Sequence, residues 1–371
     1  MRGDRRSASH QTVPWGVPVS ETSAIVAETA ARIFEDLADP QTVNQAKDDR
    51  WQAPLWASLE ESGLTLAWVP DTLGGAGASL ADGFEVVKVA GRFAATVPLA
   101  ETLLAGWLLS EAGLSSPAGA MTVAPSRWSD ELKIDAAGVL SGKARNVPFG
   151  TSAQHIAVLA DGSSGPMVAL VRLADVRAGE GRNLAGDSSA ELNFDKVKAV
   201  AHAAAPAGLD RQRLMLLGAT VRASQMAGAL ETVLSITTRY AGERVAFEKP
   251  IAKFQAVQHN LARLAGETAA AVAAAGSAAD TFANGITDDR FFLEAAGAKI
   301  RVSEAATEGA SIGHQVHGAI GFTKEHILHR FTLRLWSWRD DFGNESDWAV
   351  RLGRMIAAKG ADDLWPLVAS R

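Results

Sequence analysis

The sequence predicts an α+β protein with three consecutive parts: a helical part, a part of short strands and a second helical part. Three observations lead to this prediction. Between residues 20 and 117, apolar residues recur every three to four positions, the period of an amphipathic helix. Residues 118–205 contain short alternating runs separated by Gly, Ser and Asp, as in strands joined by tight turns. Beyond Pro206 the chain is rich in Ala and Leu, which predicts long helices over residues 206–371.

The first helical part follows a basic segment, residues 1–19, that has no apolar run behind it. We expect this segment to be a disordered tail and not a secretory signal. In the first predicted helix, Ile25, Ile33 and Phe34 fall on one face. The glycine-rich run GGAGAS at residues 74–79 has no strand before it and no Gly-Lys-Ser/Thr ending. It therefore predicts a flexible loop and not a phosphate-binding loop.

The middle part contains five runs typical of strands, which we expect to form a small β-barrel or β-sandwich: MTVAP, LKIDAAGVLSGKARNV, HIAVLADG, MVALVRLADV and AELNFDKVKAV. In the last part, long helices are predicted around residues 210–240, 251–284, 289–317 and 324–340. Packed together, these helices would form a four-helix bundle.

Composition excludes several classes of function. A formal net charge of −6 gives no reason to expect nucleic acid or an anionic membrane as a partner, so a polyanionic ligand would need a local basic pocket. The absence of cysteine excludes disulfides, thiolate metal sites and a cysteine nucleophile, and it fits a reducing interior. The apolar stretches are shorter than a membrane span, so we expect a soluble, cytoplasmic protein.

Residues 239–258, RYAGERVAFEKPIAKFQAVQ, contain the residue types best suited to a cofactor. A helix is predicted to end near Phe247, because Pro250 cannot continue the hydrogen-bond ladder, and a second helix to restart directly after this proline. Arg244, Phe247 and Gln255 would then surround one bend. Arg binds phosphate oxygens, Phe stacks on flat rings and Gln reads polar edges, a combination suited to a diphosphate and an attached ring system. The segment alone fits an ordinary turn between two helices equally well.

A second motif extends this pattern. The motif R-x-x-F-x-x-P-I-x-x-F-Q-x-x-Q is followed about sixty residues later by Q-V-H-G-A-I-G-F at residues 315–322. In order and spacing, the two motifs resemble the C-terminal helical domain of the acyl-CoA dehydrogenase family, and the helical, β, helical order resembles its three-domain architecture. The resemblance implies an FAD-dependent dehydrogenase of acyl-CoA thioesters that passes electrons to an electron-transfer flavoprotein. It also implies which residues contact the FAD of a neighbouring subunit: Arg244, Phe247, Gln255, Gln315, Gly318 and Ala319.

Two residues of these motifs differ from the family pattern. Ala319 stands where the family usually has Gly, which adds one methyl group at a close backbone approach. Glu248 also replaces a Gly, and its carboxylate would repel a diphosphate unless it points to solvent.

The catalytic base of the family is missing from its usual positions. Most members carry a Glu in a Y-E-G motif after the last long helix, whereas this chain has D-D-F-G and places Phe342 at the base position. The base position used by other members holds Gln212. Neither side chain can accept the α-proton. Asp341 is the remaining candidate base, but we expect it to belong to a solvated acidic turn.

The strands also lack residues that hold the flavin ring and the thioester in the family. In place of the T-E-x-x-x-G-S-D segment, the chain offers only Ser126 and Ser129. At the W-I-T position, residues 147–150 read V-P-F-G, and Pro148 has no backbone N–H to donate. The part that binds a subunit's own flavin is therefore degraded, whereas the part that reaches a neighbour's flavin is kept.

This asymmetry predicts a subunit without a base, paired with a second acyl-CoA dehydrogenase-like chain in a heterotetramer. The resemblance to paired bacterial enzymes implies bulky CoA thioesters such as steroid side chains, and hence fatty acid or steroid degradation. Two alternatives stay open: a homotetramer that uses Asp341 or Asp340 as its base, and an inactive structural or acyl-CoA-binding subunit. A metal site is disfavoured because no carboxylate-rich partner set accompanies the four nearby histidines, which are His314, His317, His326 and His329.

Overall fold

The computed structural model describes residues 21–369, so the predicted disordered tail at residues 1–19 lies outside the described residues. The chain begins with five helices: α1 (Glu21–Ala38), α2 (Pro40–Gln45), α3 (Gln52–Glu61), α4 (Leu80–Arg92) and α5 (Leu99–Glu111). The glycine-rich run GGAGAS forms the loop before α4 and supplies its N-cap, Ser79. The Ser79 hydroxyl accepts from the Asp82 N–H, and the Asp82 carboxylate accepts from the Ser79 N–H, which starts the helix.

A single sheet follows, with the strands β1 (Met121–Ala124), β2 (Glu131–Ile134), β3 (Val139–Pro148), β4 (His155–Gly162), β5 (Gly165–Arg172), β6 (Arg177–Ala178), β7 (Ser189–Lys198) and β8 (Ala201–Ala204). The strand order is β6-β7-β3-β2-β4-β5-β8, and β1 pairs in parallel with β4. Strands β3 and β7 pair antiparallel with irregularities after Leu140 and Ala144, and β4 pairs antiparallel with β5. Buried residues such as Val158 and Phe194 form the core of this sheet. Strand β8 was not among the predicted strands, because its sequence AHAA shows no alternation.

The last part consists of the helices α6 (Arg211–Glu243), α7 (Gln255–Ala283), α8 (Asp289–His317), α9 (Leu328–Arg339), α10 (Glu345–Lys359) and α11 (Ala361–Ala369). Helices α6 to α9 pack around a shared apolar core that includes Leu230, Val302 and Phe331. Sequence reasoning predicted these four helices and missed α10 and α11. The α+β class with a helical, β, helical order is confirmed. No helix between residues 21 and 369 combines the length and the apolar character needed to cross a membrane.

The predicted helix boundary near Phe247 is wrong. Helix α6 stops at Glu243, and a short hairpin of β9 (Val245–Ala246) and β10 (Lys249–Pro250) follows. Phe247 and Glu248 form the tip of this hairpin with φ of 52° and 66°, the two positive values of a type I′ turn. The second helix does not restart directly after Pro250 either, because a 3₁₀ turn at Ile251–Lys253 comes first and α7 begins at Gln255.

Candidate functional site

The hairpin after α6 presents three of the predicted cofactor residues to solvent. The backbone of Arg244 is fixed from both sides, since its N–H donates to the Tyr240 carbonyl and its own carbonyl accepts from the Ile251 N–H, each at 2.8 Å. Its side chain is exposed. Phe247 is 89% exposed at the hairpin tip, and its ring meets Phe254 edge-on at 6.1 Å between centroids. Gln255, the first residue of α7, is also exposed.

The second predicted segment, at the end of α8, is exposed as well. Gln315 lies on the solvent face of the last helical turn, and Gly318 ends the helix with φ 65° and ψ −144°. This region of backbone space belongs to glycine, so Gly318 is required for the chain to turn here. A 3₁₀ turn at Gly318–Phe322 follows, in which Ala319 is exposed and the Phe322 side chain is 70% exposed.

Tyr240 joins the two segments. It lies one helical turn before Arg244, and its ring stacks on His317 with centroids 4.4 Å apart. Its hydroxyl donates to the His317 carbonyl at 3.3 Å. Because His317 is two residues after Gln315, the two motifs lie side by side although about sixty residues separate them in the sequence. We call the surface formed by residues 244–255 and 315–322 the clamp surface.

The clamp surface has the chemistry that a flavin dinucleotide requires. It offers a guanidinium without an ion pair among residues 21–369, exposed aromatic rings and two exposed amides. A Cβ placed on Gly318 would meet no atom within 4 Å, so the backbone there is open to a close approach. Glu248 is exposed at the hairpin tip, so its carboxylate can point to water and away from a diphosphate. The residues present therefore fit FAD at this surface.

The region where the family places its catalytic base is, by contrast, closed. Phe342 is 1% exposed and takes a φ of 54° directly after α9. A Cβ built on Gly218 of α6 would lie 2.3 Å from the Phe342 ring, so the ring packs directly on the α6 backbone. The Phe342 carbonyl accepts from the Trp348 indole N–H at 3.0 Å. An apolar ring, held on all sides, thus fills the base position.

Asp341 does not belong to a solvated acidic turn, and this expectation was wrong. Its carboxylate accepts from Arg222 Nε at 2.9 Å, and its side chain is only 15% exposed. Arg222 is buried and also pairs with Glu101, which is buried as well, and donates to Gln225 at 2.6 Å. Burial raises the pKa of Glu101, and the Arg222 charge opposes this shift. Asp341 is therefore engaged in a buried ion network and does not point freely toward a substrate.

Lys299 of α8 holds the same turn from the other side. Its ammonium is fully buried and donates to the carbonyls of Trp338, Arg339 and Gly343 at 3.2, 2.6 and 2.8 Å. Burial lowers the pKa of Lys299 to about 7, and the Asp341 charge partly offsets this. The three carbonyls belong to the end of α9 and the turn after it, so Lys299 caps both.

The space between the end of β3 and the Asp341 turn is too small for a ring system. Pro148 ends β3, and Phe149 follows with a φ of 54° and donates its N–H to the Ser188 carbonyl at 2.8 Å. The cleft between these two residues and the Asp341 turn has a volume of about 10 Å³, the space of about one water molecule. The residues present do not fit a flavin ring at this chain's own position.

The remaining predicted positions have ordinary structural roles. The Ser126 hydroxyl donates to the Arg145 carbonyl at 3.2 Å, Ser129 is exposed, and Gln212 lines a surface depression beside Trp128. The histidines support the turn after α8: His314 stacks on Phe322 at 4.1 Å. No cluster of three or more metal-ligating side chains occurs between residues 21 and 369.

Sequence reasoning missed Tyr240, Arg222 and Lys299, which position the two regions. For Arg222 a signal existed, because Glu101 interrupts the apolar helix LAETLLAGWLL and a charge in such a helix needs a buried partner. Tyr240 is the only tyrosine of the chain and stands four residues before the first motif, inside the segment 239–258. No sequence pattern marks Lys299 as a capping residue for a turn about forty residues later.

The helical, β, helical order is shared with known flavoprotein oxidoreductases, as comparisons with other proteins show. The family model described as acyl-CoA dehydrogenase, C-terminal domain, matches residues 203–337. Acyl-CoA dehydrogenase IpdE2 of Mycobacterium tuberculosis is 29% identical over 322 residues, 85% of this chain and 91% of that protein.

Two solved structures share the fold. The ChsE4-ChsE5 complex from Mycobacterium tuberculosis contains a chain with a TM-score of 0.82 at 24% identity, covering 92% of this chain and 99% of that one. The Tcur3481-Tcur3483 steroid ACAD gives a TM-score of 0.81 at 28% identity over the same shares. These comparisons support a member of the acyl-CoA dehydrogenase family, and the predicted acyl-CoA dehydrogenase-like fold is confirmed.

Proposed function

We propose that this chain is the subunit without a base in a heteromeric acyl-CoA dehydrogenase, and that its clamp surface binds part of an FAD held mainly by a second chain. The observation that carries the proposal is Phe342, a buried ring at the position of the family's base. The 10 Å³ cleft beside Phe149 supports it, because a flavin ring has no space there. The exposed clamp surface supports the proposed contact with FAD, since exposed aromatic residues beside an unpaired arginine mark a binding surface.

In this proposal Arg244 binds the diphosphate, Phe247 packs on a flat part of the cofactor, and Gln255 and Gln315 bind polar edges. Gly318 and Ala319 allow the backbone to approach closely. When bound, FAD supplies the hydride acceptor for α,β-dehydrogenation of an acyl-CoA thioester. The carboxylate that takes the α-proton comes from the second chain, because Phe342 and Gln212 cannot accept a proton and Asp341 is held by Arg222.

The names of similar structures support a partner and a substrate class. One describes a complex of two different chains, and the other a steroid ACAD with two components. We propose by analogy a heterotetramer with a second acyl-CoA dehydrogenase-like subunit, acting in the cytoplasm on a bulky acyl-CoA such as a steroid side-chain thioester. An electron-transfer flavoprotein would reoxidise the cofactor.

Absorbance spectra test the proposal. The full chain, purified alone, is expected to contain little FAD and to have no dehydrogenase activity, whereas the complex with a co-expressed partner from an adjacent gene is expected to contain flavin and to turn over. Full flavin occupancy and turnover in the single chain would refute the heteromeric assignment. A complex with bound flavin but no turnover on any acyl-CoA would support the inactive-subunit alternative instead.

Substitution of Arg244 by Gln tests the clamp directly. In the co-expressed complex, R244Q is expected to weaken FAD binding about tenfold, as the loss of one charge-assisted contact of about 1.4 kcal/mol predicts. Arg290→Gln is the matched control. Arg290 is an exposed arginine that pairs with Asp288 at the start of α8, whereas the clamp surface lies at the other end of this helix. Equal flavin content in both variants would show that Arg244 does not bind the cofactor.

Asp341→Asn separates the proposal from a homotetramer with an unconventional base. Asparagine keeps an oxygen that can accept from Arg222, but it cannot accept a proton. The proposal expects D341N complexes to retain turnover, whereas the alternative expects loss of turnover with the flavin still bound. The comparison is made per bound flavin, so that incomplete assembly does not affect it.

A further inference from the structure

A large cavity begins beside the end of the clamp surface, at Lys324, and the proposed function does not use it. It has a volume of about 990 Å³, and it opens between α2 and α3, the loop after β3, the loop before β7 and the start of α9. The amide of Asn44 on α2 donates to the Lys324 carbonyl at 2.7 Å and connects two of these walls. The volume falls in the range of cavities that bind organic ligands. None of the predicted cofactor residues lines it.

The cavity is basic although the whole chain is acidic. Its basic lining residues are Lys47, Arg182, Lys324, Arg330 and Arg334, and its acidic ones are Asp48, Asp49 and Asp187. Asp187 is already paired with Arg334 at 2.7 Å, and Asp48 with Arg50 at 2.9 Å. The remaining balance is positive, whereas the formal net charge of the chain is −6. A local positive field of this kind attracts anionic ligands.

Arg330 is the residue that most clearly lacks a partner. It forms no ion pair within residues 21–369, and its Nε is buried without a hydrogen-bond acceptor. The Nε of the neighbouring Arg334 also lacks one. Burial, together with the charge of Arg334, lowers the pKa of Arg330 to about 10, so the Arg330 guanidinium stays charged at neutral pH. Because both Nε atoms are buried, an oxyanion in the cavity would meet the Nη groups of Arg330, which donate to no acceptor among residues 21–369.

The wall facing these arginines is apolar and aromatic. Trp51 and Trp56 are half-buried, Val97 and Pro98 are buried, and Phe149 is half-buried at the edge. Cationic groups on one side and tryptophan rings on the other suit a ligand with an acidic head and an apolar or aromatic body.

We propose that this cavity binds an organic oxyanion, with its carboxylate or phosphate held by Arg330 and its apolar or aromatic body packed against Trp51 and Trp56. The site shares no lining residue with the clamp surface, and the proposal does not depend on a partner subunit. The organic oxyanion is smaller than the FAD of the proposed function, and it contacts residues other than those of the clamp surface.

Isothermal titration calorimetry of the full chain tests the site with three probes: decanoate, ADP and inorganic phosphate. Binding of decanoate indicates a carboxylate with an apolar body, and binding of ADP indicates a phosphate with an aromatic body. Either result supports the proposal if the binding is tighter than that of inorganic phosphate and is weakened by Arg330→Gln but not by Arg244→Gln. No saturable binding of decanoate or ADP at millimolar concentration, or equal affinity for inorganic phosphate alone, overturns it.

Arg330→Gln is expected to weaken binding of the tighter probe at least tenfold, while Arg290→Gln leaves it unchanged. Arg330→Lys keeps the charge without the planar fork and is expected to fall between the two. Circular dichroism and thermal unfolding check that each variant folds. If folded Arg330→Gln binds the probe as tightly as the unchanged chain, the site assignment is wrong.

Discussion

The two ends of α6 face opposite environments. At its N-terminal half, Gly218 and Arg222 are buried under Phe342 and Asp341, in the region where related enzymes place a base. At its C-terminal end, Tyr240 and Arg244 carry the exposed clamp surface. Helix α6 therefore connects a closed region around Phe342 with the open clamp surface. Substitutions in the closed region should change stability and leave flavin binding intact, whereas substitutions in the open region should do the reverse.

The largest effect is expected for Arg222→Met in the closed region. Removing the guanidinium leaves Glu101 buried without its partner and costs about 3 to 5 kcal/mol of unfolding free energy. The midpoint of urea unfolding measures this loss. The double variant Arg222→Met with Glu101→Gln should lose less, because glutamine leaves no stranded charge. If Arg222→Met alone unfolds at the same urea concentration as the unchanged chain, the buried ion network is not a stabilising element.

Lys299→Met tests the closed region through the pH dependence of the unfolding free energy. The folded-state pKa of Lys299 is lowered to about 7, below its unfolded value of about 10.4, so the unfolded chain binds more protons between these values. The penalty of the buried ammonium is fully present below pH 7 and is relieved as pH rises toward 10. Stability of the unchanged chain relative to Lys299→Met should therefore rise from pH 7 to 9, by at most about 1.4 kcal/mol per pH unit.

Urea unfolding at several pH values measures this slope for both proteins. Other titrating groups contribute equally to the two chains and cancel in the difference. A difference that stays constant from pH 7 to 9 would show that Lys299 keeps its ordinary pKa and that burial does not disfavour its charge.

In the open region, Phe247→Ala is expected to leave stability within about 0.5 kcal/mol, since the ring is 89% exposed. It should weaken FAD binding in the co-expressed complex by about tenfold, as the loss of one stacking contact predicts. Flavin content after gel filtration provides the measurement. Val350→Ala is a suitable control, because Val350 is an exposed apolar residue on α10. Equal flavin loss in both variants would contradict a specific role for Phe247.

Much of the fold could be predicted from sequence, because periodicity alone separates the helical parts from the strands. The clamp residues could be predicted only by resemblance, since an exposed Arg, Phe and Gln have no pattern of their own. The hairpin at residues 245–250 was missed because its tip residues, Phe247 and Glu248, are not residues that favour positive φ. The pairing of Glu101 with Arg222 spans 121 residues, so local patterns could not assign the partner.

The smallest expected effect concerns the hairpin tip itself, where Glu248 occupies a φ of 66°. A non-glycine residue in this conformation costs about 1 kcal/mol, and glycine removes that strain while adding freedom to the unfolded chain. Glu248→Gly should therefore stabilise the chain by about 0.5 kcal/mol at most, measured by urea unfolding. Because the exposed carboxylate would also be removed from the vicinity of the bound diphosphate, flavin affinity in the complex should rise or stay equal. A fall in flavin affinity would mean that Glu248 contacts a cationic group of the partner, and the hairpin would then select the partner chain as well as bind the cofactor.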